Sequence, residues 1–136
     1  MNIHVEGIGN LGADPVKKEV EVDGEKKTIV EMRVRFVRMR KKGDRYEDEG
    51  GFWANVTIWN EALGSRAHAL FEKGSRIFVS GEIRADRFTG DDEQERETMI
   101  VNAAYVAIDT FGVISVERVQ KKREEEDSGE PMRAAS

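Results

Sequence analysis

The sequence predicts an all-β fold: a five-stranded Greek-key barrel with one α-helix between its third and fourth strands, followed by a disordered C-terminal tail. Short apolar stretches alternate with Gly, Asp and Asn through residues 1–111, as strands and turns do. Helical spacing of apolar residues is convincing in one segment, 61–73. A length of 136 residues suits a single core. We therefore expect one domain over 1–111, a further strand or a subunit contact over 112–119, and a disordered charged tail over 120–136.

The first half of the domain contains three stretches with strand character and a polar segment. Apolar residues over 3–8 predict a strand that is interrupted by a bend or bulge at 9–15, where Gly, Asn and Asp-Pro accumulate. A second stretch, Val16–Val22, follows the bend and leads to a hairpin turn. Clear alternation predicts the next strand over 28–38. The polar segment 40–51 is typical of a mobile hairpin tip or loop.

The second half contains three strands and the helix. Residues 52–59 form a strand, and the helix over 61–73 is followed by glycine where a C-terminal cap favours it. Two strands over 76–88 and 97–108 flank a turn at 89–92. The stretches 3–8 and Val16–Val22, on either side of the bend at 9–15, count as one strand, which gives five strands in all. This order fits a small barrel of the oligonucleotide/oligosaccharide-binding kind.

The composition excludes several functional classes. Asp and Glu outnumber Lys and Arg by 27 to 22, and the net charge of −5 argues against a binder that works through bulk positive charge. The absence of Cys excludes disulfides, thiolate zinc sites and cysteine nucleophiles. No long apolar run or signal pattern is present, so we expect a cytoplasmic protein without a membrane span.

The strand over 52–59 has one unusual face. Its even-numbered positions are wholly apolar and predict the core side. Its odd-numbered positions mix two indoles with small polar groups, which makes a poor core: Trp53, Asn55, Thr57 and Trp59. The rings either pack beneath a loop or subunit, or form an open platform on which any nucleobase can stack. The next strand adds a third aromatic ring, because alternation places Phe88 with Arg84 on its non-core side.

Basic residues are concentrated between positions 33 and 45, against one acid, Asp44. A charge run is often only a solvated face, but here it is predicted beside the aromatic strand. Cations that neutralise phosphates next to stacking rings are what binding a flexible single strand requires. The basic residues are Arg33, Arg35, Arg38, Arg40, Lys41, Lys42 and Arg45.

Catalytic motifs are weak by comparison. The two histidines, His4 and His68, are far apart, and no phosphate-binding glycine loop or serine elbow is present. Four acids near a turn leave open a metal-dependent nuclease: Asp86, Asp91, Asp92 and Glu93. Solvated acids are the ordinary outcome at such a turn. We therefore expect a non-enzymatic protein with no cofactor and no metal site.

Three segments resemble the bacterial-type single-stranded DNA-binding proteins over residues 3–108. They are Ile8-Gly9-Asn10-Leu11-Gly12-Ala13-Asp14-Pro15, Phe52-Trp53 through Trp59 with the helix, and Lys73-Gly74-Ser75-Arg76-Ile77-Phe78-Val79-Ser80-Gly81. The resemblance implies a protein that coats single-stranded DNA in replication, recombination, repair or transfer, as a homotetramer or a dimer. It implies stacking roles for Trp53, Trp59 and Phe88, and phosphate contacts from Lys73, Arg84 and Arg87.

The chain departs from the family pattern in three places. Met39-Arg40 stands where a further stacking tryptophan is frequent, so a guanidinium replaces one stack, and Ala54 stands where a histidine is frequent at a subunit contact. The acidic run 124–127 is not terminal and has no Pro-Phe end, which predicts weak or absent recruitment of replication proteins. An accessory factor of a primosome or conjugation complex, acting mainly through protein contacts, remains an alternative.

Overall fold

The structure is a computed structural model that describes residues 3–119, apart from the side chains at positions 38–41 and 49. This part of the chain forms six strands, one α-helix and a short 3-10 helix, Thr110–Gly112. The strands are β1 (Ile3–Leu11), β2 (Val16–Val22), β3 (Glu25–Lys42), β4 (Arg45–Ile58), β5 (Arg76–Thr89) and β6 (Glu95–Ile108), and the helix α1 is Glu61–Leu70.

Five of the strands close into a barrel. Strand β1 pairs antiparallel with both β3 and β5; β5 pairs with β6, β6 runs parallel to β4, and β4 returns to β3. In chain order, α1 lies between the third and fourth strands of this ring. The predicted five-stranded barrel and the place of its helix are confirmed.

The predicted break after the first strand lies at 12–15 and begins three residues later than expected, because β1 continues to Leu11. Gly9 lies opposite Phe36 of β3 and Ile77 of β5, at the point where β1 changes partners. A Cβ at Gly9 would lie 2.6 Å from Cγ1 of Val34 and 2.7 Å from the carbonyl oxygen of Arg35. Glycine therefore marks a close approach between strands rather than a break.

Strand β2 lies outside the barrel. It pairs with β3 in an antiparallel hairpin, from Val16 opposite Glu31 to Val22 opposite Glu25, across the predicted turn at Asp23 and Gly24. The stretches on either side of the bend at 12–15 are thus two strands. Strand β1 pairs with β3 and β5, whereas β2 pairs only with β3 among the described strands. The count of five strands holds for the barrel, and β2 is an addition to it.

The segment 40–51, expected to be a hairpin tip or a loop, is a hairpin, but most of it is strand rather than loop. Strands β3 and β4 continue as a two-stranded ribbon until Lys42 pairs with Arg45, so only the tip is a turn. The described side chains of this polar ribbon are not buried, and its sequence lacks the alternation by which strands are found. The register shifts once, between Val37 and Met39.

The core lies inside the ring and under the helix. Asn60 caps α1 by accepting the N–H of Leu63 at 2.9 Å. The helix ends at Leu70, earlier than predicted, because Phe71 adopts an extended backbone and its ring is buried. The buried side chains of the strands, together with Ala67 and Phe71, form the cluster: Leu11, Val30, Met32, Val34, Phe36, Ala54, Val56, Ile58, Ile77, Val79, Val101 and Val106.

After β6 the described chain contains no further strand. Residues 113–119 adopt neither helix nor strand, so the extra strand expected there does not form within one chain. Several of their apolar side chains are exposed, including Ile114 and Val119, and the subunit contact stays a prediction. The expected disordered tail, 120–136, lies outside the described residues. Within 3–119, no helix is long or apolar enough to cross a membrane.

Closing the barrel depends on the small volume at position 9. We expect Gly9→Ala to lower the free energy of unfolding by about 1–3 kcal/mol, since the added methyl group overpacks the β1–β3 contact. Urea denaturation measures this difference. The control is Gly112→Ala, where the nearest atom to an added Cβ is 3.8 Å away. Equal midpoints for the two variants would contradict a closure that requires glycine.

Candidate nucleic-acid interface

The outer side of β3, β4, β6 and β5 is one continuous face. Residues paired across neighbouring strands point to the same side of a sheet. Arg33 pairs with Asn55, Asn55 with Ile100, and Ile100 with Arg84. We call this side, which carries the odd-numbered positions of β3 and β4 and the even-numbered positions of β5, the outer face.

Trp53 lies on the outer face, where Arg33 and the backbone at Gly12 contact its ring. Its side chain is 43% exposed, and the guanidinium carbon of Arg33 is 5.2 Å from its ring centroid, a cation–π contact. A Cβ at Gly12 would lie 2.7–2.8 Å from the benzo carbons of Trp53. The ring therefore lies across β3 and occupies the space that the missing side chain of Gly12 leaves.

Trp59 is also 43% exposed and is held at the opposite end of the same strand face. Its Nε1 donates to Oδ1 of Asn102 on β6 at 3.2 Å, which fixes the orientation of the indole. Trp53 lies on β4 and Trp59 directly follows its last residue; six residues of extended chain separate their positions by roughly 20 Å. Between them, Thr57 is buried, so the predicted platform is less open at its centre.

The apolar face predicted for the even-numbered positions of 52–59 is confirmed except at Phe52. Ala54, Val56 and Ile58 are fully buried, whereas Phe52 is 40% exposed and stacks on Phe36 with ring centroids 5.4 Å apart. Phe52 is thus covered on one side by an aromatic ring, at the edge of the core rather than inside it.

Phe88 is 48% exposed and shares the even-numbered side of β5 with Arg84, as predicted. It pairs with Arg96, whose guanidinium binds Asp92 in the turn of the β5–β6 hairpin. Four residues separate Phe88 from Arg84, or about 13 Å of strand. The third aromatic ring therefore lies on the arm of the hairpin, beyond the row that joins Arg33 to Arg84.

The arginines of the outer face all have acceptors within the chain. Nη1 of Arg33 donates to Oδ1 of Asn55 at 3.1 Å. Arg35 pairs with Asp48 at 3.0 Å, and Nε of Arg84 donates to Oδ1 of Asp86 at 3.2 Å. The positive charge beside the rings is thus partly neutralised, except at Arg33, whose partners are uncharged.

The other predicted phosphate contacts lie elsewhere. Arg87 is on the odd-numbered side of β5, away from Arg84, and pairs with Glu97 at 3.7 Å. Lys73 lies in the turn before β5, not on the sheet. The backbone of Arg40 is part of β3, opposite Glu47, but its side chain lies outside the described residues.

Two of the distinctive sequence segments contact one another. The backbone N–H of Lys73 donates to Oδ1 of Asp14 at 2.8 Å, and that of Gly74 donates to the carbonyl of Leu11 at 2.8 Å. Leu11 in turn donates to the carbonyl of Ser75. This junction places Lys73 beside the turn that contains Gly12, and therefore near the edge of the Trp53 site.

Two residues that contact side chains of the outer face could not be predicted from the sequence. Asn102 looks like an ordinary polar residue of a strand, and only the parallel pairing of β4 with β6 shows that it meets Trp59. Asp48 falls in the segment predicted as a loop. The backbone N–H of Gly50 and then the guanidinium of Arg35 hold the pKa of the Asp48 carboxyl below its usual range.

Two of the four acids that could suggest a metal site are used in ion pairs. Asp86 binds Arg84 and Asp92 binds Arg96. Among the described side chains, no group of three or more His, Asp or Glu residues is placed to hold a metal ion.

A closed five-stranded barrel with half-exposed tryptophans and arginines on one face defines the class of oligonucleotide-binding barrels. The model of the single-strand binding protein family matches residues 3–109, and the chain belongs to this family. Single-stranded DNA-binding proteins of Xanthomonas axonopodis pv. citri and Xylella fastidiosa are 34% and 35% identical over 89 residues, which is 65% of this chain and 47% and 52% of theirs. The chain thus spans about half the length of the curated relatives it matches.

Solved structures show the same fold at low sequence identity. The small single-stranded DNA-binding protein of Streptomyces coelicolor superposes with a TM-score of 0.67 at 16% identity, covering 80% of this chain and 95% of that one. A Plasmodium falciparum SSB in complex with ssDNA superposes with a TM-score of 0.55 at 14% identity, covering 79% and 91%.

The hydrogen bond from Trp59 to Asn102 should restrict the motion of the ring. In a Trp53→Phe background, where Trp59 is the remaining tryptophan, we expect Asn102→Ala to lower the steady-state fluorescence anisotropy. The matched control is Asn55→Ala, an amide of the same face that binds Arg33 instead. An equal effect of both substitutions would mean that Asn102 does not orient the indole.

Proposed function

We propose that this chain binds and coats single-stranded DNA largely without sequence preference, and that it does so without catalysis. Bases would stack on Trp53, Trp59 and Phe88, and arginines of the outer face would contact phosphates. The observation that carries the proposal is the half-exposed state of both indoles on one rigid strand, each fixed by a neighbour. Membership of the single-strand binding family supports it.

The exposed rings favour unpaired strands over duplexes. A duplex keeps the faces of its bases inside the helical stack, whereas a single strand can present them to an indole. Stacking on an aromatic side chain contributes about 1–3 kcal/mol per base and does not depend on base identity, because each base has a π-face. Trp53 and Trp59, spaced along one strand, would therefore bind separate nucleotides without reading their sequence.

The charges of the outer face suit a phosphate backbone although the whole chain is acidic. With a net charge of −5, long-range attraction cannot drive the binding, so local contacts must. Arg33, Arg35 and Arg84 would supply them on the sheet. Lys73 would add a contact near Trp53, whereas Arg87 would reach a strand only if the DNA passes around the β5–β6 hairpin.

The biological setting follows from this activity. A protein that coats single strands protects them and removes secondary structure in replication, recombination, repair or transfer, and we place it in the cytoplasm. We propose that the chain assembles as a homo-oligomer, a tetramer or a dimer.

Removing either indole should weaken binding and leave the fold intact. We expect Trp53→Ala and Trp59→Ala each to raise the Kd for oligothymidine by roughly 5- to 150-fold, because one stacking contact is lost. Fluorescence anisotropy of a labelled oligothymidine measures the Kd. The control is Phe111→Ala, which removes an exposed aromatic ring away from the sheet. Unfolding of either tryptophan variant, or unchanged affinity, would contradict the proposal.

Phosphate contacts should appear as a salt dependence. We expect the affinity for oligothymidine to fall as salt rises, with a slope of log K against log salt that becomes shallower by about 0.7 in Arg33→Gln, since one phosphate contact is removed. Titrations at several salt concentrations measure the slope. Glu21→Gln on β2 is a control away from the outer face. Affinity that is independent of salt, alongside capture of replication proteins, would favour the accessory-factor alternative.

A further inference from the structure

The charge of Arg35 is bound by a carboxylate of the chain itself. Arg35 pairs across the strands with Trp53, so it stands beside one of the proposed stacking rings. Its Nη1 donates to Oδ2 of Asp48 at 3.0 Å. A DNA phosphate beside Trp53 and the Asp48 carboxylate would compete for this guanidinium, since both are anions that accept its N–H groups.

Asp48 reaches the outer face because β4 contains a bulge. Outer-face positions of β4 are odd-numbered, and uninterrupted alternation would place residue 48 on the inner side. Val37 pairs with Gly51, but Met39 pairs with Asp48, so β4 has one more residue than β3 in this interval. One extra residue inverts the alternation and directs Asp48 to the side of Arg35.

Two adjacent glycines build this bulge and fix the carboxylate. Gly50 has a φ of 105°, and a Cβ at Gly51 would lie 1.9 Å from the carbonyl oxygen of Phe36. The N–H of Gly50 donates to Oδ1 of Asp48 at 2.8 Å, while Oδ2 binds Arg35. Both oxygens are therefore held, and the pair is positioned by the backbone rather than by chance encounter of two side chains.

We propose that Asp48 is an internal competitor for DNA phosphate at Arg35. Its carboxylate occupies the guanidinium while no strand is bound, and a phosphate must displace it; this inference rests on the proposed binding of single-stranded DNA. On displacement the freed carboxylate attracts a cation, which offsets the counterion that the neutralised phosphate releases. Arg35 then adds less affinity and less salt dependence than an unpaired arginine would.

Neutralising the competitor should strengthen binding. Asp48→Asn removes the charge and keeps an oxygen that can accept the N–H of Gly50. The matched control is Asp44→Asn, which removes the same charge from the tip of the same hairpin, where Asp44 has no ion pair with a described side chain. Relative to this control, we expect Asp48→Asn to bind oligothymidine about two- to fivefold more tightly. We also expect its slope of log K against log salt to be steeper by about 0.7.

A second measurement assigns the gain to Arg35. We expect Arg35→Gln to weaken binding more in the Asp48→Asn background than in the unsubstituted chain, since only there is the guanidinium unoccupied. Thermal unfolding by circular dichroism checks that each variant is folded. If the Asp48→Asn variant is unfolded, two single substitutions in the unsubstituted chain still test the competition. Arg35→Gln should then lose less affinity for oligothymidine than Arg33→Gln, because Arg35 is already occupied by Asp48.

The outcomes separate this inference from the proposed function. If the unsubstituted chain does not bind oligothymidine, the proposed function fails. If it binds, and Asp48→Asn is no tighter than Asp44→Asn, only the role of Asp48 is overturned. Weaker binding by Asp48→Asn would also overturn it, since Asp48 would then orient Arg35 for the phosphate instead of competing.

Discussion

Strand β1 hydrogen-bonds to β3 along one edge and to β5 along the other, and this double pairing turns an open sheet into a barrel. The approach is so close that a side chain at Gly9 would collide with β3. Because the ring is closed, the outer face formed by β3, β4, β6 and β5 has a fixed curvature. The rows that join Arg33 to Arg84 and bring Asn102 to Trp59 are consequences of this closure.

The proposed interface combines fixed rings with compensated charges. Each indole is held by a neighbour on an adjacent strand, so little ordering of these side chains would remain when a base arrives. Two arginines of the outer face, Arg35 and Arg84, are paired with carboxylates. A polyanion would therefore exchange acceptors at these two positions, whereas Arg33 keeps its charge uncompensated beside Trp53. This distribution suits a binder that must hold a strand and also release it.

Much of the fold could be predicted from alternation alone. The strands over 28–38 and 52–59 are found correctly because each has a buried face, and the same pattern identifies Trp53 and Trp59 as outward. The ribbon 40–51 could not be recognised as strand, since none of its described side chains is buried and propensity then decides little. The partners of Arg35 and Trp59 depend on a bulge and on a parallel pairing, and both arise from the tertiary arrangement rather than from local sequence.

The double pairing of β1 also sets the order in which the molecule can assemble. Ile3 is made first, yet its partner Ile83 lies 80 residues later in the chain. During synthesis, the β2–β3–β4 hairpins can form while β1 still lacks one of its two neighbours, and the apolar lining of the unfinished ring stays open to water. Long-range strand pairing of this kind slows folding. The nascent chain therefore stays vulnerable to aggregation until β6, which joins β5 to β4, has left the ribosome.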